Sequence, residues 1–352
     1  MNISQLLSYV ITNNASDLHL VVGTPPVVRI DGTLLAVSGE EVLNNERIVQ
    51  LIDEVVSAEQ KQLLNANKEL DFSFSQADQA RFRVNAYFQK GTMAASFRLI
   101  PMKIPTVDEL NLPKVCHQFA TLKQGFILVT GPTGHGKSTT LAAILDEINK
   151  TRGVHIVTIE DPVEYVYASA RAIVSQREVH SDTHSWNVAL RSILREDPDV
   201  VLIGEMRDFE TISAALTIAE TGHLVFATLH TNSAAQTVDR IVDVFPETQQ
   251  AQARLQLSAN LEAVFSQRLI PRKSGGRSVA YEVMLATSAV RTAIRESRTH
   301  MLDNIIITSA DYGMTTLENS LANLVKTGEV DLETAQAYAN RPADVSRFVK
   351  GV

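Results

Sequence analysis

Cysteine is nearly missing from this sequence: Cys116 is the one thiol in 352 residues. A single cysteine excludes an intrachain disulfide and any zinc site built from several thiolates. Cys116 itself reads as a packed or linker residue rather than a reactive thiol. No apolar run approaches the roughly 18 residues that a membrane-spanning helix needs. The opening Met1-Asn2-Ile3-Ser4-Gln5-Leu6-Leu7 has no basic stretch before an apolar core, so no secretory signal is expected and the reading is cytoplasmic. Basic residues are in deficit, 32 Lys and Arg against 40 Asp and Glu, for a net charge of −8. That balance counts against a general nucleic-acid surface, which favours a basic stripe. Internal repeats and low-complexity segments are also missing. What remains is ordinary for a soluble globular protein, with 45% hydrophobic and 20% charged residues. The length exceeds what one core sustains, so two domains are expected.

One stretch stands out. Gly131-Pro132-Thr133-Gly134-His135-Gly136-Lys137-Ser138-Thr139 fits the pattern G-x-x-x-x-G-K-[ST]. The apolar run Phe126-Ile127-Leu128-Val129-Thr130 before it suits a buried strand. Leu141, Ile144, Leu145 and Ile148 after it have helical spacing. Strand, glycine loop and helix together make a phosphate cradle: the glycines let main-chain N–H groups converge, and the helix N-terminus adds positive partial charge. Lys137 would offset the β- and γ-phosphates of ATP, and Ser138 would ligate Mg²⁺.

Residues 1–100 read as a mixed α/β module. Ile3, Leu6, Leu7 and Val10 suggest a short helix, and Val27 to Val37 a hairpin turning at Asp31-Gly32. Residues 44–65 show helical spacing at Ile48, Leu51, Ile52, Val55 and Val56, and Phe72, Phe74, Phe82, Val84 and Ala86 alternate as strands do. Pro101, Pro105 and Pro113 mark a linker over 101–115. From 116 to 352 strands and helices alternate. Apolar runs lie at 154–159, 200–203 and 224–228, with helical patterns at 185–195 and 209–221 and a mostly helical tail over 288–349. The expectation is an α/β chain whose second domain holds a parallel sheet between helices.

Polar clusters fall at the expected strand ends, where open α/β sheets bind ligands. Glu160-Asp161-Pro162-Val163-Glu164 supplies three carboxylates, fit for activating water or holding a metal's water shell; a solvated acidic turn would read the same. Glu205 follows Val200-Val201-Leu202-Ile203, the general form of the acidic strand end that binds Mg²⁺ or its water. Thr228-Leu229-His230-Thr231-Asn232 offers an imidazole that could hydrogen-bond a γ-phosphate, although a lone histidine is more often structural.

Together these stretches resemble the type II/type IV secretion ATPase superfamily. Gly131–Thr139, Glu160–Tyr165, Asp197–Asp208 and Glu220–Ser233 are similar to its Walker A, Asp-box, Walker B and His-box motifs, and Ala15-Ser16-Asp17-Leu18-His19-Leu20 to its N-terminal domain. Within the superfamily the chain resembles the retraction ATPases of type IV pili. It starts directly at the N-terminal domain without a leader, lacks the tetracysteine zinc module, and carries Ala293-Ile294-Arg295-Glu296, which matches a C-terminal motif tied to retraction. The resemblance implies a PAS-like N-terminal domain, a RecA-like ATPase domain and a homohexameric ring. It makes Glu164 the base that activates water, Glu205 a support for Mg²⁺ together with Glu160 and Asp161, and His230 with His223 contacts to the γ-phosphate region. Arg81, Arg83 and Arg98 of the N-terminal domain are its candidates for completing the site, and Arg195 and Arg207 for contacts across the ring. His135 departs from the family's usual serine. The implied setting is the cytoplasmic face of the inner membrane at the pilus base, against a platform protein, alone or with a paralogous retraction ATPase. A RecA-like DNA translocase and a non-catalytic accessory subunit are the alternatives; the acidic balance opposes the first, and intact Lys137, Glu164 and Glu205 oppose the second.

Overall fold

Alternation of apolar and polar residues builds an antiparallel sheet at the N-terminus. In the computed structural model, which describes residues 1–30, 32–76, 80–100 and 103–351, the strands are β1 (Asp17–Leu20), β2 (Val27–Ile30), β3 (Thr33–Ala36), β4 (Glu69–Gln76), β5 (Ala80–Gln89) and β6 (Thr92–Ile100). Their order is β3-β2-β1-β6-β5-β4, with every neighbouring pair antiparallel. The expected hairpin is β2–β3, although Asp31 of its turn lies outside the described residues. One face of the sheet buries Phe82, Val84 and Phe97 with Leu6, Leu7 and Val10 of α1 (Ile3–Thr12) and Ile48, Leu51 and Ile52 of α2 (Asn45–Asp53). The single helix expected over 44–65 is two, α2 and α3 (Ala58–Asn67). Ser57 caps α3 by accepting the Gln60 N–H while the Gln60 side chain accepts the Ser57 N–H, and this capping box starts a new helix instead of continuing the old one.

This sheet and its helices form one of two units, Met1–Lys103 joined by the short segment Pro162–Val166; the other is Ile104–Asp161 with Tyr167–Val352. Among the described residues the second unit holds seven strands: β7 (Gly125–Thr130), β8 (His155–Glu160), β9 (Ile173–Glu178), β10 (Val200–Ile203), β11 (Leu224–Leu229), β12 (Leu261–Pro271) and β13 (Arg277–Leu285). Their order is β13-β12-β7-β11-β10-β8-β9; all neighbours are parallel except the β12–β13 hairpin. The central strands β7, β10 and β11 are buried along their whole length because both faces of the sheet are covered. Successive residues of β7 enter different cores: Phe126 and Leu128 pack on one side, Ile127 and Val129 on the other.

The covering helices are α4 (Val115–Thr121), α5 (Lys137–Thr151), α6 (Trp186–Ile193), α7 (Phe209–Glu220), α8 (Ala234–Asp243), α9 (Glu247–Asn260) and α10 (Ser288–Arg295). The tail continues as α11 (Leu302–Thr308), α12 (Leu317–Lys326), α13 (Leu332–Ala337) and α14 (Pro342–Lys350), helical as expected. Leu317, Leu321, Val330, Ala335 and Val345 of this tail form a separate core with Ile270 of β12 and Ala280 of β13. Cys116 is buried in α4, where burial and then the Glu147 charge push its thiol up to about 12, so it is inert as a nucleophile. Among the described residues no helix is long and apolar enough to cross a membrane.

Candidate nucleotide site

Four adjacent parallel strands end along one edge of the large sheet, and each carries a polar group there. β7 ends at Thr130 and runs into the glycine loop; β8 ends at Glu160; β10 leads to Gly204 and Glu205; β11 leads to His230. A parallel sheet makes this convergence automatic, because every strand exposes its C-terminal end on the same side. Short hydrogen bonds fix the edge: Gly204 N–H donates to Ile159 O (2.8 Å), Met206 N–H to Thr228 O (3.0 Å) and Thr228 Oγ1 to Gly204 O (2.6 Å).

The loop depends on its glycines in two distinct ways. Gly131 has φ +139°, and a Cβ there would lie 2.2 Å from Gln267 O, so the chain passes against β12 with no room for a side chain. Gly136 has φ +82° immediately before α5, turning the main chain so that the first turn, with Ser138 and Thr139, follows directly. Pro132, Thr133, Gly134 and His135 span the loop between them. Thr133 and Gly134 are exposed, and space around Gly134 is open.

Lys137 is buried beneath the loop, its ammonium donating to Gly131 O (2.9 Å) and Pro132 O (3.0 Å). The same Nζ lies 3.5 Å from His230 Nδ1, and Thr133 Oγ1 lies 3.3 Å from that nitrogen. His230 Nε2 is 3.3 Å from Glu205 Oε2. A lysine ammonium can only donate, so Nδ1 accepts and Nε2–H donates to the carboxylate; these contacts select one tautomer of His230. Arg207 pairs with the other carboxylate oxygen of Glu205 while its side chain stays largely exposed. Lys137, His230, Glu205 and Arg207 therefore form one continuous polar chain at the loop.

Glu160 is buried and accepts from Thr158 Oγ1 (2.7 Å) and Gln176 Nε2 (3.4 Å). Asp161 and Glu164 are exposed, and Glu164 lies in the segment that belongs to the first unit. Ser138 is half-buried in the first turn of α5. Arg81 and Arg83 of β5 and Arg98 of β6 share the sheet face opposite the core: Arg83 stands directly across from Arg98, and their strand neighbours Phe82, Val84 and Phe97 are buried. Asp17 grips Arg98 Nε at 2.9 Å. Burial alone would raise the Asp17 carboxyl, but the Ser16 hydroxyl and Arg98 hold it below its ordinary value.

His223, expected near the γ-phosphate, is elsewhere. His223 precedes β11 and His230 follows it, so six residues of extended strand, about 20 Å, separate them. The His223 ring contacts Ile218 O (3.1 Å) and Thr221 Oγ1 (3.0 Å) at the far edge of the sheet, and the structure does not bring it to the loop. Arg195 is exposed after α6, ahead of β10, on that same far edge. Conversely, the sequence gives no sign that β12 builds the loop. Gln267 Nε2 donates to His135 O (2.8 Å), and the Leu269 N–H donates to His135 Nδ1 (2.9 Å). Burial, then the charges of Arg268, Lys137 and Arg277, keep the His135 pKa below its ordinary value. On the other side of β12, Arg268 donates to Tyr338 O and, at 2.6 Å, to Asn340 Oδ1.

A phosphate loop on a parallel sheet with an acidic strand end defines a nucleotide-binding protein, and comparison narrows the class. The family described as type II/IV secretion system protein matches residues 1–336, and the chain belongs to that family. It is 47% identical over 342 residues to the type IV pilus retraction ATPase PilT of Pseudomonas aeruginosa, covering 97% of this chain and 99% of that protein. It is 45% identical over 322 residues to a twitching motility protein of Neisseria gonorrhoeae, covering 91% of this chain and 86% of the relative. The solved structure of the pilus retraction motor PilT with bound ADP superposes with a TM-score of 0.92 at 44% identity, covering 99% of each chain.

Proposed function

We propose that this chain is an ATP-hydrolysing motor that powers retraction of type IV pili and thereby twitching motility. The observation that carries the reading is the polar chain Lys137–His230–Glu205 at a phosphate loop, in a sequence aligned along nearly its whole length with a retraction ATPase. Lys137 offsets the terminal phosphates, the N-terminus of α5 donates main-chain N–H groups, and His230 lies within hydrogen-bond reach of the loop to report the γ-phosphate. Glu164 takes the proton of the attacking water. The oxygen donors Ser138 and Glu205 suit Mg²⁺, a hard cation that keeps much of its water, with Glu160 and Asp161 available to that water shell; the bound ion would neutralise phosphate charge.

In this reading residues 1–100 form a PAS-like domain, 101–115 a connection and 116–352 a RecA-like domain. Six copies form a ring in which Arg81, Arg83 or Arg98 adds positive charge to a neighbour's nucleotide, while Arg195 and Arg207 contact across the ring. The ring works on the cytoplasmic face of the inner membrane against the pilus platform protein, alone or with a paralogous ATPase, and takes no nucleic acid. The test is Lys137→Ala. Hydrolysis should vanish from the purified protein, and cells should keep surface pili that no longer retract. Wild-type turnover in this variant would refute the site, and normal retraction in cells lacking the gene would refute the motor role.

A further inference from the structure

β12 loses its neighbour where the phosphate loop begins. Its parallel pairing with β7 ends at Ser266–Thr130, while the antiparallel pairing with β13 continues to Pro271–Arg277. Beyond Ser266, one edge of β12 therefore faces the loop rather than a strand. Main-chain donors at such an edge need partners, because a desolvated N–H without one is costly. His135 meets this need at Leu269 with its ring and also holds the Gln267 side chain. Its carbonyl accepts from Gln267 Nε2 and its ring Nδ1 accepts from the Leu269 N–H, at 2.8 and 2.9 Å. Gln267 is fully enclosed, at 1% exposure, so the carbonyl contact is not a surface accident. Gly131, at the other end of the loop, closes against Gln267 O. The loop is thus held to β12 at both ends, and at its distal end by an imidazole.

We propose that His135 is a positioning residue of the phosphate loop: its Nδ1 replaces the ladder partner that β12 lacks at Leu269, and so fixes the loop for the di- and triphosphate. Nδ1 accepts only while unprotonated; burial first, and then the charges of Arg268, Lys137 and Arg277, favour that form. The inference rests on the nucleotide site proposed above, but the bond itself exists independently of nucleotide.

The experiment uses the full chain with His135→Asn, His135→Gln and His135→Ala. Asparagine places Oδ1 the same number of bonds from the main chain as Nδ1; glutamine places its oxygen one bond too far. Two quantities are read: hydrogen exchange of the Leu269 amide without nucleotide, and ADP affinity alongside kcat and KM for ATP. With His135→Asn, exchange and affinity should stay near wild type. With His135→Gln and His135→Ala, exchange should quicken about tenfold. ADP affinity should weaken and KM rise by about tenfold, with kcat changed by less than about threefold. Should the alanine variant fail to fold, the asparagine–glutamine pair decides alone. Equal affinities in all folded variants would overturn the proposal, as would an asparagine variant no better than glutamine. An inactive wild-type chain that binds no ADP would overturn the nucleotide site instead, and the exchange measurement would still score the His135–Leu269 bond.

Discussion

His230 donates from Nε2 to Glu205 and presents Nδ1 to the phosphate loop, so the carboxylate at the end of β10 sets which nitrogen faces the loop. Glu205 thereby has two tasks, the metal support proposed above and the orientation of His230. Glu164 is proposed for a different task, taking the proton of the attacking water. Glu164→Gln should leave ATP binding intact and cut turnover by about 10²–10⁴, the usual loss of a general base. Glu205→Gln should weaken Mg²⁺ dependence and ATP affinity as well. Measured kcat, KM and Mg²⁺ titrations separate the two, and the opposite assignment would mean the roles are exchanged.

A ring that shares its sites should respond non-linearly to poisoning. A triphosphate carries more negative charge than Lys137 and Mg²⁺ offset, which leaves a place for a neighbour's guanidinium. Mixing Lys137→Ala chains into wild-type protein should lower ATPase activity more steeply than the fraction added. A proportional decline, or full activity from a monomer on a sizing column, would remove the shared site.

The segment Ala293-Ile294-Arg295-Glu296 divides into two buried residues followed by two exposed ones. Ile294 is completely buried with Ala293 in the core under α10, whereas Arg295 is exposed and makes one long contact, to Thr292 Oγ1 at 3.3 Å. Ile294→Ala should cost about 2–5 kcal/mol in denaturant unfolding, the price of a core cavity. Arg295→Ala should change stability by less than about 0.5 kcal/mol. The surface variant is therefore the fair test of motor output: ATPase activity should persist while retraction fails, and normal retraction would make the motif a packing element only.

The contribution of Glu282 to stability should fall as pH rises toward neutrality. Glu282 is buried and accepts the Ala234 N–H at the start of α8 (2.7 Å), and burial is the main reason its pKa is pushed up to about 7 from 4.5. A carboxyl whose folded pKa lies above its unfolded one keeps its proton longer in the native state. Stability is then greatest below the unfolded pKa and is lost between about 4.5 and 7, in total on the order of 3 kcal/mol. Glu282→Gln keeps the acceptor oxygen and cannot ionise. Its unfolding free energy relative to wild type should improve from pH 5 to pH 8; parallel curves would disprove the buried titration.

The parts of the fold that sequence reveals are those whose cause is local. β7, β8, β10 and β11 are buried on both faces and read as unbroken apolar runs, and the phosphate loop declares itself within nine residues. β9 does not read as a strand because Ile173-Val174-Ser175-Gln176-Arg177-Glu178 is an edge strand with only its last residue buried. β12 mixes buried Ser266 and Gln267 with Arg268, and its polar residues serve partners far along the chain. The His135–Leu269 bond spans 134 residues, a separation no local pattern encodes. His223 misleads for the converse reason: it is close to His230 in sequence, yet an extended strand separates them.

β12 also sets which changes of length the chain can absorb. Gln267 and Leu269 are committed to the loop and Arg268 to Tyr338 and Asn340, so successive residues face different neighbours. A substitution here removes one bond, but an insertion of one residue anywhere between Ser266 and Leu269 would exchange the neighbours of every residue after it. The hairpin tip carries no such commitment: Gly275 and Gly276 adopt φ of +85° and +74° with open space around them. Relatives of this chain should therefore differ in length at the tip of the β12–β13 hairpin and keep a fixed count from Ser266 to Leu269.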